Sequence, residues 1–253
     1  MSGTGAPSGR LLCVGDVHGC ADELDSLLEA LGPTSSDRLV FLGDYVDRGP
    51  ASRRVVETLL ELRRALPETV FLRGNHEEML LSFLGRDAEG GSLFLQAGGL
   101  PTLASYGLGA RPRDAASAAA LQAAARERLP GEHLDFLDGG LRLWFRSGRF
   151  AFVHAGVRPG VPLERQRRRD LLWIREEFLG AATTGLDAIV VFGHTPQRDA
   201  FFGRGRKLGL DTGCVYGGRL TCLDLSAGRL YQVRRGERRA TRRDVAALLE
   251  AIG

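Results

Sequence analysis

The stretch LVFLGDYVDRGP, Leu39 to Pro50, runs four apolar residues into a glycine and then sets Asp44, Asp47 and Arg48 within five residues. A short apolar run closed by glycine reads as a buried strand. Charged groups directly after such a strand are costly unless something neutralises them. The same device recurs on either side. RLLCV (Arg10–Val14) leads into GDVHG, and TVFL (Thr69–Leu72) leads into RGNHE. Helical spacing separates the three. Leu24, Leu27, Leu28 and Leu31 mark a helix over Asp22–Leu31, with Asp22 as its N-cap and Gly32-Pro33 as its stop. Val55, Val56, Leu59, Leu60 and Leu62 mark a second helix, and a third runs through Leu84. Strand, polar loop, helix, three times over, predicts an α/β fold of βαβ units. Open sheets of that kind carry their sites at the carboxyl ends of strands, where these loops fall.

From Gly85 to Ser147 the character changes. Ala, Leu and Gly dominate, and RDAASAAALQAAARERL (Arg113–Leu129) is a strong helix former. This stretch, about 85–147, is expected to be a small helical insert in a single domain spanning 10–253, with residues 1–9 a disordered tail. The strand pattern resumes at FAFVHAG (Phe150–Gly156), AIVVFGHT (Ala188–Thr195), KLGLDTG (Lys207–Gly213), RLTCLDL (Arg219–Leu225) and RLYQVRR (Arg229–Arg235). The last three are expected to form an antiparallel meander, and Thr241–Ile252 an amphipathic closing helix.

The chain has 253 residues, 43% of them hydrophobic and 26% charged, so a sizeable core is available. Its net charge of +3 gives no argument for nucleic acid. Arginine is locally dense, at Arg165 and Arg167–Arg169 and again at Arg234, Arg235, Arg238, Arg239, Arg242 and Arg243. Such runs read first as solvated surface, and second as docking sites for an acidic or phosphorylated partner. The four cysteines, Cys13, Cys20, Cys214 and Cys222, show no CxxC spacing and are expected to be reduced thiols. MSGTGAPSG has no apolar signal core, and no run approaches the ~20 apolar residues of a membrane helix. A cytoplasmic protein without a membrane partner is the expectation.

Five strand ends now deliver Asp, His or Asn beside glycine. Asp16 and His18 follow the first; Asp44, Asp47 and Arg48 the second; Arg73, Asn75, His76 and Glu77 the third; His154 and His194 the next two. Only His133, of five histidines, stands outside such a loop. Singly, each Asp reads as a turn or cap and each His as a structural hydrogen bonder. Jointly they imply convergence on one place. Oxygen and nitrogen donors without thiolate suit Mn, Fe or Zn. A shared carboxylate suits two ions about 3.5–4 Å apart, the arrangement used for in-line displacement at phosphorus.

GDVHG, GDYVDRG and RGNHE, followed by HAG and GHT, resemble the signature of the phosphoprotein phosphatase family of metallophosphoesterases, over about Leu11 to Leu225. HAGVRPG, LLWIR and LDTGCVYGG are similar to its bacterial and phage branch; eukaryotic members carry His-Gly-Gly where this chain has His154-Ala155-Gly156. The resemblance implies a calcineurin-like sandwich, two mixed β-sheets flanked by helices. It implies two divalent ions, Mn²⁺ first and Fe or Zn as alternatives. Asp16 and His18 would hold one, Asn75, His154 and His194 the other, and Asp44 would bridge. Arg48, Arg73 and Arg175 would bind phosphoryl oxygens. His76 would act as general acid, with Asp47 fixing its tautomer, and Asp211 would close a turn beneath the metals. The implied reaction is direct attack of a metal-bridging hydroxide on phosphorus.

The resemblance leaves three readings of function. The first is a protein serine/threonine phosphatase, with phosphotyrosine as a further substrate. The alternative is a symmetrical dinucleoside polyphosphate (Ap4A) hydrolase. A non-hydrolytic binding module is disfavoured because every expected position is filled. The nucleotide branch is expected to carry GDLVARG and GNHD, so Asp47 and Glu77 tip the expectation toward a phosphorylated protein or small phosphoester.

Overall fold

Strand β1 (Leu11–Val14) turns Leu11 and Cys13 to one face and Leu12 and Val14 to the other, and all four are buried. A strand buried on both faces belongs in the middle of layers. The computed structural model describes residues 9–86, 90–109 and 112–252. After β1 come α1 (Ala21–Leu31), β2 (Arg38–Phe41), α2 (Ser52–Ala65), β3 (Val70–Phe71) and α3 (Asn75–Leu81). Then follow α4 (Gly90–Gln96), α5 (Leu100–Ser105), α6 (Ala115–Arg128) and α7 (Gly131–Gly139). The remainder is β4 (Trp144–Ser147), β5 (Phe150–Val153), α8 (Arg168–Trp173), α9 (Glu176–Leu179), β6 (Ile189–Phe192), β7 (Phe201–Gly203), β8 (Lys207–Gly209), β9 (Arg219–Asp224), β10 (Arg229–Arg234), β11 (Ala240–Asp244) and α10 (Ala246–Ala251).

Two mixed sheets result, one ordered β11-β10-β9-β1-β2-β3 and the other β4-β5-β6-β8-β7. Their facing sides share one apolar layer. Leu11, Cys13, Val40 and Leu42 meet Phe150, Phe152, Ile189 and Val191 there. The outer side of the first sheet packs Leu12, Val14, Leu39 and Phe41 on Leu24 and Leu27 of α1 and Val55, Val56 and Leu59 of α2. The outer side of the second packs Val153, Val190 and Phe192 on Leu171, Ile174 and Phe178. The expected sandwich of two mixed sheets between helices is the observed one. β1, β2 and β3 run parallel, as do β5 and β6, so their carboxyl ends open at a common rim.

Local detail differs from expectation in four places. Helix α1 begins one residue early, and Asp22 lies in its first turn rather than capping it; Cys20 is the N-cap. Gly32 ends the helix with φ 48°, where glycine escapes the Cβ clash. Lys207–Gly209 does not join the terminal meander: β8 pairs with β6 and β7 in the second sheet, and β9–β10–β11 form the meander. The expected helix over Thr241–Ile252 is β11 followed by the short α10, because Ala240–Asp244 pairs with Arg229–Val233. The insert is helical through α4–α7, with α6 capped by Asp114, whose carboxylate accepts from the Ser117 N–H at 2.8 Å. Its last expected residues are strand β4. The tail expectation falls on residues outside those described, apart from Gly9, whose N–H donates to the Ser36 carbonyl at 3.0 Å. All four cysteines are buried and free.

The start of the domain is pinned by Asp37. Its buried carboxylate accepts from the Arg10 backbone N–H (2.8 Å), the Arg10 guanidinium (2.7 and 3.2 Å) and the Thr34 N–H (2.9 Å). The Arg10 hydrogen bond holds the carboxyl well below the usual range, against the opposing effect of burial. A carboxyl depressed in the folded state binds its proton more readily when unfolded. Its stabilisation is therefore present above the unfolded pKa of about 4 and is lost as pH falls through the folded value. Asp37→Asn is expected to cost roughly 1–3 kcal/mol at pH 7. The difference from wild type should shrink below about pH 4. Urea unfolding at both pH values checks this, and a difference that grows on acidification would contradict it.

Candidate metal centre and active site

The rim built by these strand ends is strained. Among the described residues, six that are not glycine have positive φ: His18, Asp44, Asp47, Arg48, His194 and Arg206. Five of those six are expected site residues. The left-handed region is disfavoured for any residue with a Cβ, and such positions persist where the surrounding structure enforces them. Flanking glycines make room. A Cβ on Gly74 would collide with Asp44 Oδ1, and one on Gly193 with Asp16 Oδ1.

Asp44 is at the centre. Its Oδ2 lies 3.4 Å from His18 Nε2, and its Oδ1 lies 3.4 Å from His154 Nε2. The tautomers follow from the other ring nitrogens. His18 Nδ1 donates to the Val46 carbonyl (2.8 Å) and His154 Nδ1 to the Leu42 carbonyl (2.9 Å). Each Nε2 is left as a lone pair facing the shared carboxylate, the usual way a backbone carbonyl orients a ligand histidine. Asn75 Oδ1 lies 2.9 Å from His154 Nε2 and 2.8 Å from His194 Nδ1. Asp16 Oδ2 accepts from the His194 backbone N–H at 2.9 Å, across 178 residues of chain. All six expected ligands, Asp16, His18, Asp44, Asn75, His154 and His194, are buried and meet at this rim.

The donor set fits two cations. His18, Asp44 and His76 offer ligand atoms within 4.8 Å of one another, and so do Asp44, His154 and His194. Asp16 Oδ1 and His194 Nε2 are buried without a hydrogen-bond partner, an expensive state for polar atoms. The His18 Nε2 lone pair already receives a cation, the Arg48 guanidinium, whose Nη1 donates to it at 2.5 Å.

The electrostatics divide the histidines by role. Burial lowers His18 to about 3 and His194 to about 2, and also depresses His154. Neutral imidazole is the form that binds a metal. His76 alone of these four is pushed the other way: burial opposes, but Asp44 and Asp47 together raise it. Its Nδ1 donates to Asp47 Oδ2 at 2.7 Å, and its Nε2 is buried without a partner. Burial pulls Asp44 upward, but the surrounding histidines hold it far below the usual carboxylate range. Burial and its neighbours Asp211 and Asp44 push Asp16 up.

The insert braces the pair Asp47–His76, a role the sequence did not disclose. Thr102 of α5 donates its hydroxyl to Asp47 Oδ1 (2.8 Å) and accepts from the Asp47 backbone N–H (2.7 Å), and Ser52 Oγ lies 2.9 Å from the same hydroxyl. Gly98 accepts from the Arg48 N–H at 2.8 Å. Thr102→Val keeps the shape and removes these bonds. It is expected to lower kcat on an alkyl phosphate by about tenfold, about 1.4 kcal/mol of lost acid positioning. Thr102→Ser should restore most of it, and an unchanged kcat for the valine variant would show that the bond does not matter.

Glu77 is the other residue whose role sequence reasoning missed. Its fully buried carboxylate accepts from the backbone N–H groups of Asp44 (3.0 Å), Tyr45 (2.7 Å), Val46 (3.3 Å) and Gly74 (2.8 Å). Asp211 closes its turn as expected, accepting from the Gly213 N–H at 2.9 Å.

The arginines separate. Arg48 reaches His18. Arg175 is exposed at the start of α9, and its charge helps depress His154 and His194. Arg73 is buried, with its guanidinium on Glu78 Oε2 (3.2 Å) and on the Asp138 carbonyl of the insert; neither partner is an expected metal ligand. Next to Trp173, whose ring lies 6.2 Å from that of His194, opens a cavity of about 560 Å³ lined by Arg158, Arg167, Arg169 and Arg175 and also by the acidic Asp170, Glu176 and Glu177. Arg158 is bound to Asp170 and Glu177. The guanidinium groups of Arg167, Arg169 and Arg175 make no hydrogen bond or ion pair with a described residue.

Known proteins bear on this geometry at three levels. A bis(5'-nucleosyl)-tetraphosphatase PrpE [asymmetrical] of Geobacillus thermodenitrificans is 29% identical over 235 residues, covering 83% of this chain and 88% of the relative. A solved structure described as that of a proposed diadenosine tetraphosphatase superposes with a TM-score of 0.64 at 26% identity, over 90% of this chain and 96% of that one. The cold-active protein-tyrosine phosphatase of a psychrophilic Shewanella shares the fold, with a TM-score of 0.56 at 16% identity over 93% of this chain and 80% of that one. The expected kinship with protein serine/threonine phosphatases is thus matched only at the broader level. Residues 9–227, which supply every strand end of the rim, match the sequence profile described as calcineurin-like phosphoesterase, and the chain belongs to that family.

Proposed function

We propose that this phosphoesterase hydrolyses dinucleoside polyphosphates, reversing the order expected from Asp47 and Glu77. The observation that carries the reading is the cavity next to Trp173, where the guanidinium groups of Arg167, Arg169 and Arg175 have no hydrogen-bond or ion-pair partner among the described residues. Unpaired arginines in a concave site suit a ligand with several adjacent phosphates better than a single phosphoester, because each planar fork binds two phosphoryl oxygens. The relatives named as tetraphosphatases support the same substrate class, and their names specify the asymmetrical cut, not the symmetrical one expected above.

Two divalent ions, for which the donor set suits Mn, Fe or Zn and the family resemblance puts Mn²⁺ first, would be held by Asp16, His18, Asp44, Asn75, His154 and His194, and would supply Lewis-acid charge and a lowered water pKa. The chain's own residues do the rest. Arg48 and Arg175 grip phosphoryl oxygens and offset charge as it grows on them. His76 presents Nε2–H to the leaving oxygen, and Asp47 keeps that proton on the correct nitrogen.

A protein phosphatase remains the second reading, and the firmly held Asp47–His76 pair favours it. An alkoxide leaving group needs a proton more than a nucleotide phosphate does. Parallel assays on Ap4A, a phosphoserine peptide and a phosphotyrosine peptide decide between them. The proposal expects kcat/KM for Ap4A to exceed both peptides, with ATP and AMP as products. A peptide rate above that of Ap4A would overturn it.

A further inference from the structure

Among the described residues, four large apolar side chains stand exposed: Leu93, Trp173, Tyr216 and Leu248. The two aromatic ones both lie near the centre, Trp173 against His194 and Tyr216 against Arg48. Trp173 ends α8 at 37% exposure, its ring 6.2 Å from the His194 ring and nearly perpendicular to it. Tyr216 is 62% exposed, and the Arg48 guanidinium lies 5.5 Å from its ring centroid; that guanidinium also contacts His18. One ring therefore stands on the His194 side and one on the His18 side. Rings left this open do little for the core, and each offers a flat apolar face beside cations.

We propose that Trp173 and Tyr216 are stacking faces for the two nucleobases of a dinucleoside polyphosphate. This rests on the function proposed above and deepens it. The cations are unevenly shared. Arg167, Arg169 and Arg175 line the cavity with Trp173, whereas Arg48 lies over the Tyr216 ring. The longer phosphate arm lies on the Trp173 side, where the guanidinium groups of Arg167, Arg169 and Arg175 offer more donors for phosphoryl oxygens. Water then adds its oxygen to the phosphorus nearest the Tyr216 nucleoside. The P–O bond to the longer arm breaks, and a proton passes to the leaving oxygen, so Ap4A and water give ATP and AMP. The uneven placement of guanidinium donors is thus a physical reason for an asymmetrical cut.

The test is calorimetric binding of ATP, AMP and tripolyphosphate to the metal-loaded protein, which requires no turnover. Trp173→Ala is expected to weaken ATP by roughly 5- to 100-fold, the range for loss of one base–aromatic stack. Its effect on tripolyphosphate, which has no base, should stay within about twofold. Tyr216→Ala should weaken AMP in the same range and leave ATP nearly unchanged. Trp173→Phe and Tyr216→Phe should keep most of the affinity. Equal losses for ATP and tripolyphosphate in Trp173→Ala, or no loss in either alanine variant, would overturn the proposal. Failure of the wild type to cleave Ap4A would instead remove the proposed function, and the binding data would still report on the rings.

Discussion

Replacing His76 with alanine lowers kcat on an alkyl phosphate by roughly two to four orders of magnitude, the usual range for loss of a general acid. The expectation rests on three observations at one ring. Nδ1 is fixed by Asp47 at 2.7 Å, so the mobile proton sits on Nε2. Nε2 has no hydrogen-bond partner among the described residues and lies 4.0 Å from Asp44 Oδ2, facing the shared carboxylate. The charges of Asp44 and Asp47 favour the protonated ring against the pull of burial, whereas burial prevails at His18, His154 and His194. Leaving-group dependence isolates the role. A dinitrophenyl phosphate leaves without help, so the variant should lose far less on it than on the alkyl ester. Asp47→Asn should show the same dependence in weaker form, because the ring remains but its tautomer is no longer enforced. Full activity of His76→Ala on the alkyl phosphate at saturating metal would remove His76 from the acid role.

Much of this site was legible because its chemistry is carried by side-chain type at strand ends. Buried strands announce themselves as apolar runs, and the polar residues that follow can point only outward from the carboxyl edge of the sheet. Asp16, His18, Asp44, Asn75, His154 and His194 were readable that way, and the structure brings them together. What escaped depends on tertiary neighbours. Nothing in the local pattern distinguishes Lys207–Gly209 from a meander strand; its assignment to the second sheet follows from pairing with Val190–Phe192. Thr241–Ile252 has helical periodicity, but Ala240–Asp244 completes the open edge of β10, and pairing outweighs propensity. Thr102 lies 55 residues from Asp47, in a segment whose composition says only helix. Arg73 sits in a motif that suggests phosphate binding, yet its guanidinium is seated on Glu78 and on the Asp138 carbonyl, and the insert that supplies the latter has no signature of its own.

Glu77→Ala should be the most destabilising single change at the site, because one carboxylate serves four backbone donors. Those donors belong to the loop after β2 and to Gly74, which precedes α3. Asp44 in that loop has φ 52°, a conformation that must be held in place. Alanine would leave buried N–H groups unpaired at roughly 1–3 kcal/mol each. Even with partial relaxation, the loss should reach about 4 kcal/mol, within the range reserved for broken buried networks. Glu77→Gln separates folding from function. It retains one acceptor oxygen but turns an N–H₂ group toward the loop donors, so a folded protein with a displaced Asp44 is expected. Divalent-metal affinity measured by calorimetry should then fall more than the urea midpoint does, because Asp44 is the carboxylate that both clusters share. If Glu77→Ala unfolds at the wild-type midpoint, the carboxylate does not hold the loop. If Glu77→Gln binds metal as the wild type does, the loop does not depend on Glu77 to place Asp44.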